Sequence, residues 1–277
     1  MDLDNTINIL FIGDIVGEPG MVTLEKYMPG LKERFAPDFI ICNGENACGG
    51  RGITEVEAKR IFAAGANVIT TGNHVWENWK GKPLLASNQN VLRPFNYPQG
   101  NTGKGYGFFS CEKGTVGVVN IQGRTFMQAI DCPFKAMDYV LGAMVEKTKV
   151  IIADFHADAT AEKVAMGHFL DGRVSALIGT HTHIQTSDAK ILPKGTAYIT
   201  DAGMTGPFDS VVGMKKEVAI RRFTLQTPHK YELATEDNHI CGFFVRVDIE
   251  TGKAKKVVAF TEPEFVTESG IAEDESN

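Results

Sequence analysis

The 277-residue chain has no excess of positive charge, with 28 Lys and Arg against 34 Asp and Glu. It also has no basic run interleaved with aromatics, which disfavours a surface dedicated to stable nucleic-acid binding. Cysteine is scarce. Cys42, Cys48, Cys111, Cys132 and Cys241 are odd in number, scattered and free of any Cys-x-x-Cys pair, so reduced thiols are expected. No stretch approaches the ~20 apolar residues of a membrane span. The start, Met1-Asp2-Leu3-Asp4, lacks the basic residues of a secretory signal, and the run Ile9-Leu10-Phe11-Ile12 is too short to serve as one. Together these absences predict a cytoplasmic protein. Internal repeats and low-complexity linkers are missing too, so one domain over residues 1–277 is the simpler expectation.

What is present is an ordinary globular composition, 43% hydrophobic and 22% charged. The net charge of -6 is unevenly placed. Glu262, Glu264, Glu268, Glu273, Asp274 and Glu275 all follow the last basic residue, Lys256, and without them residues 1–261 carry 28 charges of each sign. The body therefore has no global field that repels an anionic substrate. The acidic tail, 262–277, is expected to fray.

Short apolar runs end in glycine and polar residues: Ile7 to Ile12 before Gly13-Asp14, Phe39 to Cys42 before Asn43-Gly44-Glu45-Asn46, and Val68 to Thr71 before Gly72-Asn73-His74. Helical stretches separate them, from about Met21 to Phe35 with a bend expected at Pro29, and from a Thr54/Glu57 capping box to about Ala64. This alternation predicts an α/β fold with a largely parallel sheet and ligands at the carboxyl ends of its strands. Gly105 to Gln122 reads as a hairpin, Pro133 to about Glu146 and Ala159 to Leu170 as helices, and Val150 to Ala153 and Ala176 to Ile178 as strands. A strand over Ala197 to Thr200 ends at Asp201. After Pro207 the chain reads as loop until a terminal hairpin over Cys241 to Phe260.

The last of the central strands delivers Gly179-Thr180-His181-Thr182-His183. In an extended segment the side chains at i and i+2 share a side, so both imidazoles are expected to face one cavity at metal-ligand spacing. Other strand ends supply Asp14, Glu45 with Asn46, Asn73 with His74, and His156. Two carboxylates, two carboxamides and several imidazoles exceed the needs of one tetrahedral zinc and suit two bridged mid-row divalent ions. His168, His229 and His239 read as ordinary helix or loop residues.

Taken together, the blocks Phe11-Ile12-Gly13-Asp14, Asn43-Gly44-Glu45-Asn46-Ala47, Gly72-Asn73-His74, Gly179-Thr180-His181-Thr182-His183 and Asp201-Ala202-Gly203-Met204-Thr205-Gly206-Pro207 resemble the calcineurin-like metallophosphoesterases. Within them the resemblance is to the YmdB-like group of bacterial cyclic-nucleotide phosphodiesterases, and it covers nearly the whole chain. It implies a four-layer α/β sandwich of two facing mixed sheets flanked by helices. It assigns Asp14, Asn46 and His183 to one metal, Asn73, His156 and His181 to the other, Glu45 to the bridge, and His74 to the general acid. Asp201, at the end of its strand, reads either as a residue that orients a ligand imidazole from behind or as a simple turn residue. The implied substrate is a small phosphodiester such as a 2',3'-cyclic nucleotide, attacked by a metal-bridging hydroxide.

Two departures from the wider superfamily refine this expectation. Ile15 and Val16 follow Asp14 where an Asp-x-His block is usual, and Glu45 stands where the bridging residue is usually aspartate. Both are shared by the YmdB-like group, and they make the first metal site oxygen-rich, which suits iron or manganese. Two divalent ions less Asp14, Glu45 and hydroxide leave one net positive charge, matched to a singly charged diester. The rival expectation is a metal-bearing regulatory module that binds RNA or a protein with little turnover, and a homo-oligomer is compatible with either reading.

Overall fold

The computed structural model describes residues 5–265. The first apolar run forms β1 (Thr6–Ile12), whose Ile7, Ile9 and Phe11 enter one apolar cluster while Leu10 and Ile12 enter another. A strand buried on both faces needs apolar side chains at nearly every position, hence a continuous run rather than an alternating one. Past Gly13 the chain makes a two-residue strand, β2 (Asp14–Ile15), and then α1 (Gly17–Phe35), which continues through Pro29. β3 (Phe39–Asn43) pairs parallel with β1. The Thr54/Glu57 box forms as expected and opens α2 (Glu55–Ala64), which leads to β4 (Val68–Thr70), α3 (Gly81–Ser87) and β5 (Val91–Leu92).

The chain then crosses to a second sheet. β6 (Tyr106–Cys111) and β7 (Gly114–Gln122) are the expected hairpin, followed by α4 (Pro133–Met144), β8 (Val150–His156), α5 (Thr160–Leu170) and β9 (Ala176–Thr180). With β10 (Lys190–Ile191) and β11 (Ala197–Ile199) these strands take the order β10-β11-β9-β8-β7-β6. The chain returns to the first sheet through β12 (Met204–Pro207), crosses α6 (Lys216–Leu225), and ends in the hairpin β13 (Asn238–Asp248) and β14 (Ala254–Glu262). That sheet runs β2-β12-β13-β1-β3-β4-β5, with β14 beside β13.

Three apolar clusters define the layers. Ile9, Phe11, Phe39 and Ile41 of the first sheet meet Val118, Ile152 and Ile178 of the second. On the outer face of the first sheet, Met21 and Leu24 of α1 and Ile61 of α2 pack with Leu10 and Ile40. Met137 and Val140 of α4 and Met166 of α5 cover Ile151, Phe155 and Leu177 of the second. Helix, sheet, sheet and helix stack in the order that the family resemblance implies, and each fully buried Ile, Leu or Phe contributes roughly 1.5–3 kcal/mol.

The largely parallel sheet expected from the strand-helix alternation is corrected in one respect. The first sheet is mixed, because β13 inserts antiparallel beside β1. The strand ends that carry the polar residues are divided between two facing sheets, β1, β3 and β4 in the first and β8 and β9 in the second. The stretch after Pro207 is also not all loop, since it contains α6. Ala219 is the one buried residue of that helix while Ile220, Phe223 and Leu225 are exposed, so it lacks the apolar face that would reveal it as a periodicity. The expectation that the acidic tail frays from residue 262 is corrected at its start, where Glu262 ends β14 and pairs with Arg34 at 2.6 Å; residues 266–277 lie outside the described residues.

Candidate metal centre

The carboxyl ends of β1, β3, β4, β8 and β9 bring all seven candidate ligands and His74 to one place. Asp14, at the start of β2, is fully buried; its Oδ2 accepts from the His181 backbone N–H at 3.1 Å, while Oδ1 has no hydrogen-bond partner. Glu45, in the turn after β3, is also fully buried. Its Oε1 accepts from Asn46 Nδ2 at 3.2 Å and lies 2.9 Å from His156 Nε2, and its Oε2 accepts from the His74 backbone N–H at 3.3 Å. Asn73 and His74 open a single 3-10 turn (Asn73–Trp76) after β4.

His156 Nε2, at the end of β8, is the most crowded atom in the group. Glu45 Oε1 and Asn73 Oδ1 stand 2.9 Å from it, and His181 Nδ1 stands 3.0 Å from it. One N–H cannot serve three neighbours well, so this is the geometry of donor atoms gathered round a shared cation. Gly72 permits the approach: a Cβ there would lie 2.1 Å from Glu45 Oε2 and 2.3 Å from the His156 ring.

The outer nitrogens of His156, His183 and His74 are anchored, which decides what the inner ones offer. Thr180 Oγ1 donates to Asp154 Oδ1 at 2.7 Å, so it accepts from His156 Nδ1 at 2.9 Å and leaves Nε2 as the nitrogen that faces inward. His183 Nδ1 donates to the Val212 carbonyl at 2.9 Å, and its Nε2 meets Asn46 Nδ2 at 3.0 Å. His181 turns Nε2 toward Asp158, 3.6 Å away, and Nδ1 toward His156. His74 Nδ1 lies 2.7 Å from Glu77 Oε1.

Without a metal, protons balance the buried carboxylates. Burial alone disfavours a charged imidazole, yet Glu45, with Asp14 and Asp154 behind it, outweighs that and raises His156 to about 9. Burial likewise works to raise Glu45, but the His156 charge and hydrogen bond overcome it and hold the carboxyl at about 2. Desolvation, reinforced by the His156 charge, lowers His181 to about 3, and desolvation also lowers His183, so both rings are neutral with lone pairs available. Burial pushes Asp14 well above the usual carboxylate range.

The expectation that the His181–His183 segment is extended is overturned. β9 stops at Thr180, and His181 and His183 have φ of 102° and 67°, left-handed values that cost a non-glycine residue roughly 1–3 kcal/mol each. The surrounding bonds impose them. Lys163 of α5 is fully buried, and its Nζ donates at 2.7 Å both to the Thr180 carbonyl and to Asp201 Oδ2. The same Asp201 oxygen accepts from Thr182 N at 3.0 Å and Thr182 Oγ1 at 2.8 Å. Asp201 thus grips the residue between the two histidines rather than either ring. Lys163, Glu77, Asp158 and Thr180 all escape the sequence reading; the one available signal is the placement of Glu77 three residues after His74.

The family model for YmdB-like protein matches residues 10–260 of this chain. The chain belongs to the YmdB-like family. A 2',3'-cyclic-nucleotide 2'-phosphodiesterase of Bacillus subtilis (strain 168) is 44% identical over 251 residues, spanning 91% of this chain and 95% of that protein. Among solved structures, a phosphatase from Mycoplasma pneumoniae superposes with a TM-score of 0.87 at 32% identity over 93% of each chain. A protein of Thermus thermophilus, titled only as hypothetical, superposes with a TM-score of 0.86 at 37% identity over 92% of this chain and 98% of its own.

The donor chemistry of this YmdB-like chain fits divalent metal. Glu45, His156 and His181 form a group able to hold an ion, with ligand atoms within 4.8 Å of one another. Asp14 Oδ1, buried without a hydrogen bond where that is costly and 4.0 Å from His156 Nδ1, is a further donor oxygen. Among the described residues no helix is long and apolar enough to cross a membrane.

Proposed function

We propose that this chain is a phosphodiesterase that hydrolyses 2',3'-cyclic nucleotides with two bound mid-row divalent ions, iron or manganese. The observation that carries the reading is the contact of Glu45 with both halves of the ligand set, His156 on one side and Asn46 on the other. The 44% identity to a relative of that activity supports it. Asp14, Asn46 and His183 would hold one ion, Asn73, His156 and His181 the other, and Glu45 would be shared. The ions, when bound, supply positive charge against the diester and acidify the attacking water.

The chain's own residues do the rest. The carboxamides of Asn46 and Asn73 donate or accept without adding negative charge, so the centre retains an attraction for a singly charged diester. Water oxygen adds to phosphorus, one ester bond to a ribose oxygen breaks, and that oxygen needs a proton. His74 lines the cleft with Nδ1 held by Glu77, so Nε2 is the nitrogen that delivers it. One domain over residues 1–277 and a reducing, cytoplasmic setting for the five free thiols complete the reading.

Turnover tests it. Purified protein loaded with manganese or iron is expected to cleave a 2',3'-cyclic nucleotide, and failure on both that substrate and a chromogenic diester refutes the activity in favour of a regulatory module. His74→Ala is expected to lose about 10²–10⁴-fold in kcat while two metals per chain remain. Loss of both metals in that variant would make His74 a structural residue instead.

A further inference from the structure

The cleft at the metal centre is larger than a diester requires. Its volume is about 400 Å³, within the size class that encloses whole small ligands. Beyond the candidate ligands, His74 and Thr182, its walls are Gly50 and Arg51 from the loop after β3, Asp158 after β8, and Val212, Met214 and Tyr231 from the segment between β12 and β13. Tyr231 is its one phenol ring, and Arg51 is its one Lys or Arg side chain.

Tyr231 is held there by a two-stranded ribbon. Val211 and Met214 exchange backbone hydrogen bonds at 2.8 and 2.9 Å, Lys215 N donates to Glu232 O at 2.9 Å, and Ala234 N donates to Gly213 O at 3.0 Å. This ribbon also presents the Val212 carbonyl that fixes His183, so the ring and a candidate metal ligand share one support. On the other side Gly50, with φ of +88°, yields the space the ring occupies: a Cβ there would meet Tyr231 Cε1 and Oη at 2.8 Å. The Arg51 guanidinium carbon lies 5.7 Å from the Tyr231 ring centroid, and Arg51 Nη1 donates at 3.2 Å to Glu77, the carboxylate that holds His74. The ring, its brace and the proton donor are therefore mechanically linked.

We propose that Tyr231, braced by Arg51, is the nucleoside subsite of this centre: the base of a cyclic nucleotide packs against the Tyr231 ring while the cyclic phosphate sits at the ligand group. This rests on the phosphodiesterase reading above. It follows from the lining of the cleft, in which Tyr231 is the one aromatic ring other than the candidate ligands and His74. A base-aromatic contact is tolerant of base identity, because every base has a π-face, so the subsite discriminates nucleotides from base-free diesters rather than one base from another.

The experiment compares 2',3'-cyclic AMP with 1-O-methylribose 2',3'-cyclic phosphate, which has the same reacting group and no base, in manganese-loaded wild type, Tyr231→Phe, Tyr231→Leu and Tyr231→Ala. The Ala and Leu variants are expected to raise KM for the nucleotide by about 5- to 100-fold, the worth of one base stack, with kcat little changed. KM for the base-free diester and the metal content should stay at wild-type values, and Phe should restore the nucleotide KM. Equal losses on both substrates, or none on either, overturn the subsite. Should wild type cleave neither substrate, the phosphodiesterase reading fails by itself. Calorimetric binding of adenosine 3'-monophosphate then still decides the subsite, which falls if Tyr231→Ala binds as tightly as wild type.

Discussion

Lys163→Met is the most informative single change outside the ligand set. Lys163 Nζ is buried with two acceptors, the Asp201 carboxylate and the Thr180 carbonyl, both at 2.7 Å. Methionine keeps the unbranched apolar stem of the side chain, one atom shorter, but leaves Asp201 as a buried charge without its cation. Breaking one side of a buried ion pair costs about 3–5 kcal/mol, against about 0–1 for an exposed one. At roughly 2–4 °C per kcal/mol for a chain of this size class, the melting temperature should fall by about 6–20 °C. The function should suffer as well, because Asp201 fixes Thr182 between two residues of left-handed φ, and a strained turn relaxes when its anchor moves. Thermal denaturation followed by circular dichroism, with metal content measured on the same samples, reads both effects. The double variant Lys163→Met/Asp201→Asn removes both charges and should return to within about 1–2 kcal/mol of wild type, since the penalty lies in the unpaired charge rather than in the absence of the pair. A single variant that melts within about 1 °C of wild type, or a double variant worse than the single, would show that the pair does not hold the turn.

Two further predictions probe packing at the centre and thiol accessibility. Gly72→Ala places a methyl carbon 2.1 Å from Glu45 Oε2 and 2.3 Å from the His156 ring, so it should abolish stoichiometric metal uptake while far-UV circular dichroism keeps its wild-type form; retention of two metals per chain would contradict the crowding described for His156 Nε2. Cys42 and Cys241 are buried, and desolvation raises both thiols, Cys241 to about 12, so they stay protonated and should resist iodoacetamide at pH 8. Half-buried Cys111 and Cys132 should be the ones labelled, with Cys48, raised by burial and by Glu57, slower, as read by peptide mass spectrometry; rapid native modification of Cys42 or Cys241 would contradict the packing.

Much of the fold was legible because its signals are local. The run Ile7 to Ile12 needs apolar residues on both faces, and Thr54 with Glu57 announces α2, so both elements follow from a few adjacent residues. The eight residues brought together at the centre share one local signature, a polar side chain just past an apolar run, and the family resemblance joins them. What escaped is what depends on distant partners. Nothing near Asn238 to Asp248 says that the strand will insert antiparallel beside β1. Lys163 lies on a helix, where a lysine ordinarily faces water, and only the placement of Thr180 and Asp201 makes its burial tolerable. Tyr231 sits in a stretch with no periodicity, supported by a ribbon whose strands are too short and irregular to read.

In the His181-Thr182-His183 segment the spacing brings two imidazoles to the centre, but not by the geometry that the spacing implies. Extended backbone would put both rings on one side, aimed at a single point. With φ of 102° and 67° the segment is not extended, and the rings part: His181 Nδ1 goes to His156 Nε2 at 3.0 Å, and His183 Nε2 goes to Asn46 Nδ2 at 3.0 Å. His156 and Asn46 are the two groups joined through Glu45 Oε1, at 2.9 and 3.2 Å. Glu45 Oε1 therefore touches the partners of both histidines, which supports the proposal of two ions sharing one carboxylate over one ion gripped by both rings. The strain in the turn has a physical role in this proposal, since it directs one imidazole to His156 and the other to Asn46, and Lys163 and Asp201 supply the buried charge pair that keeps it there.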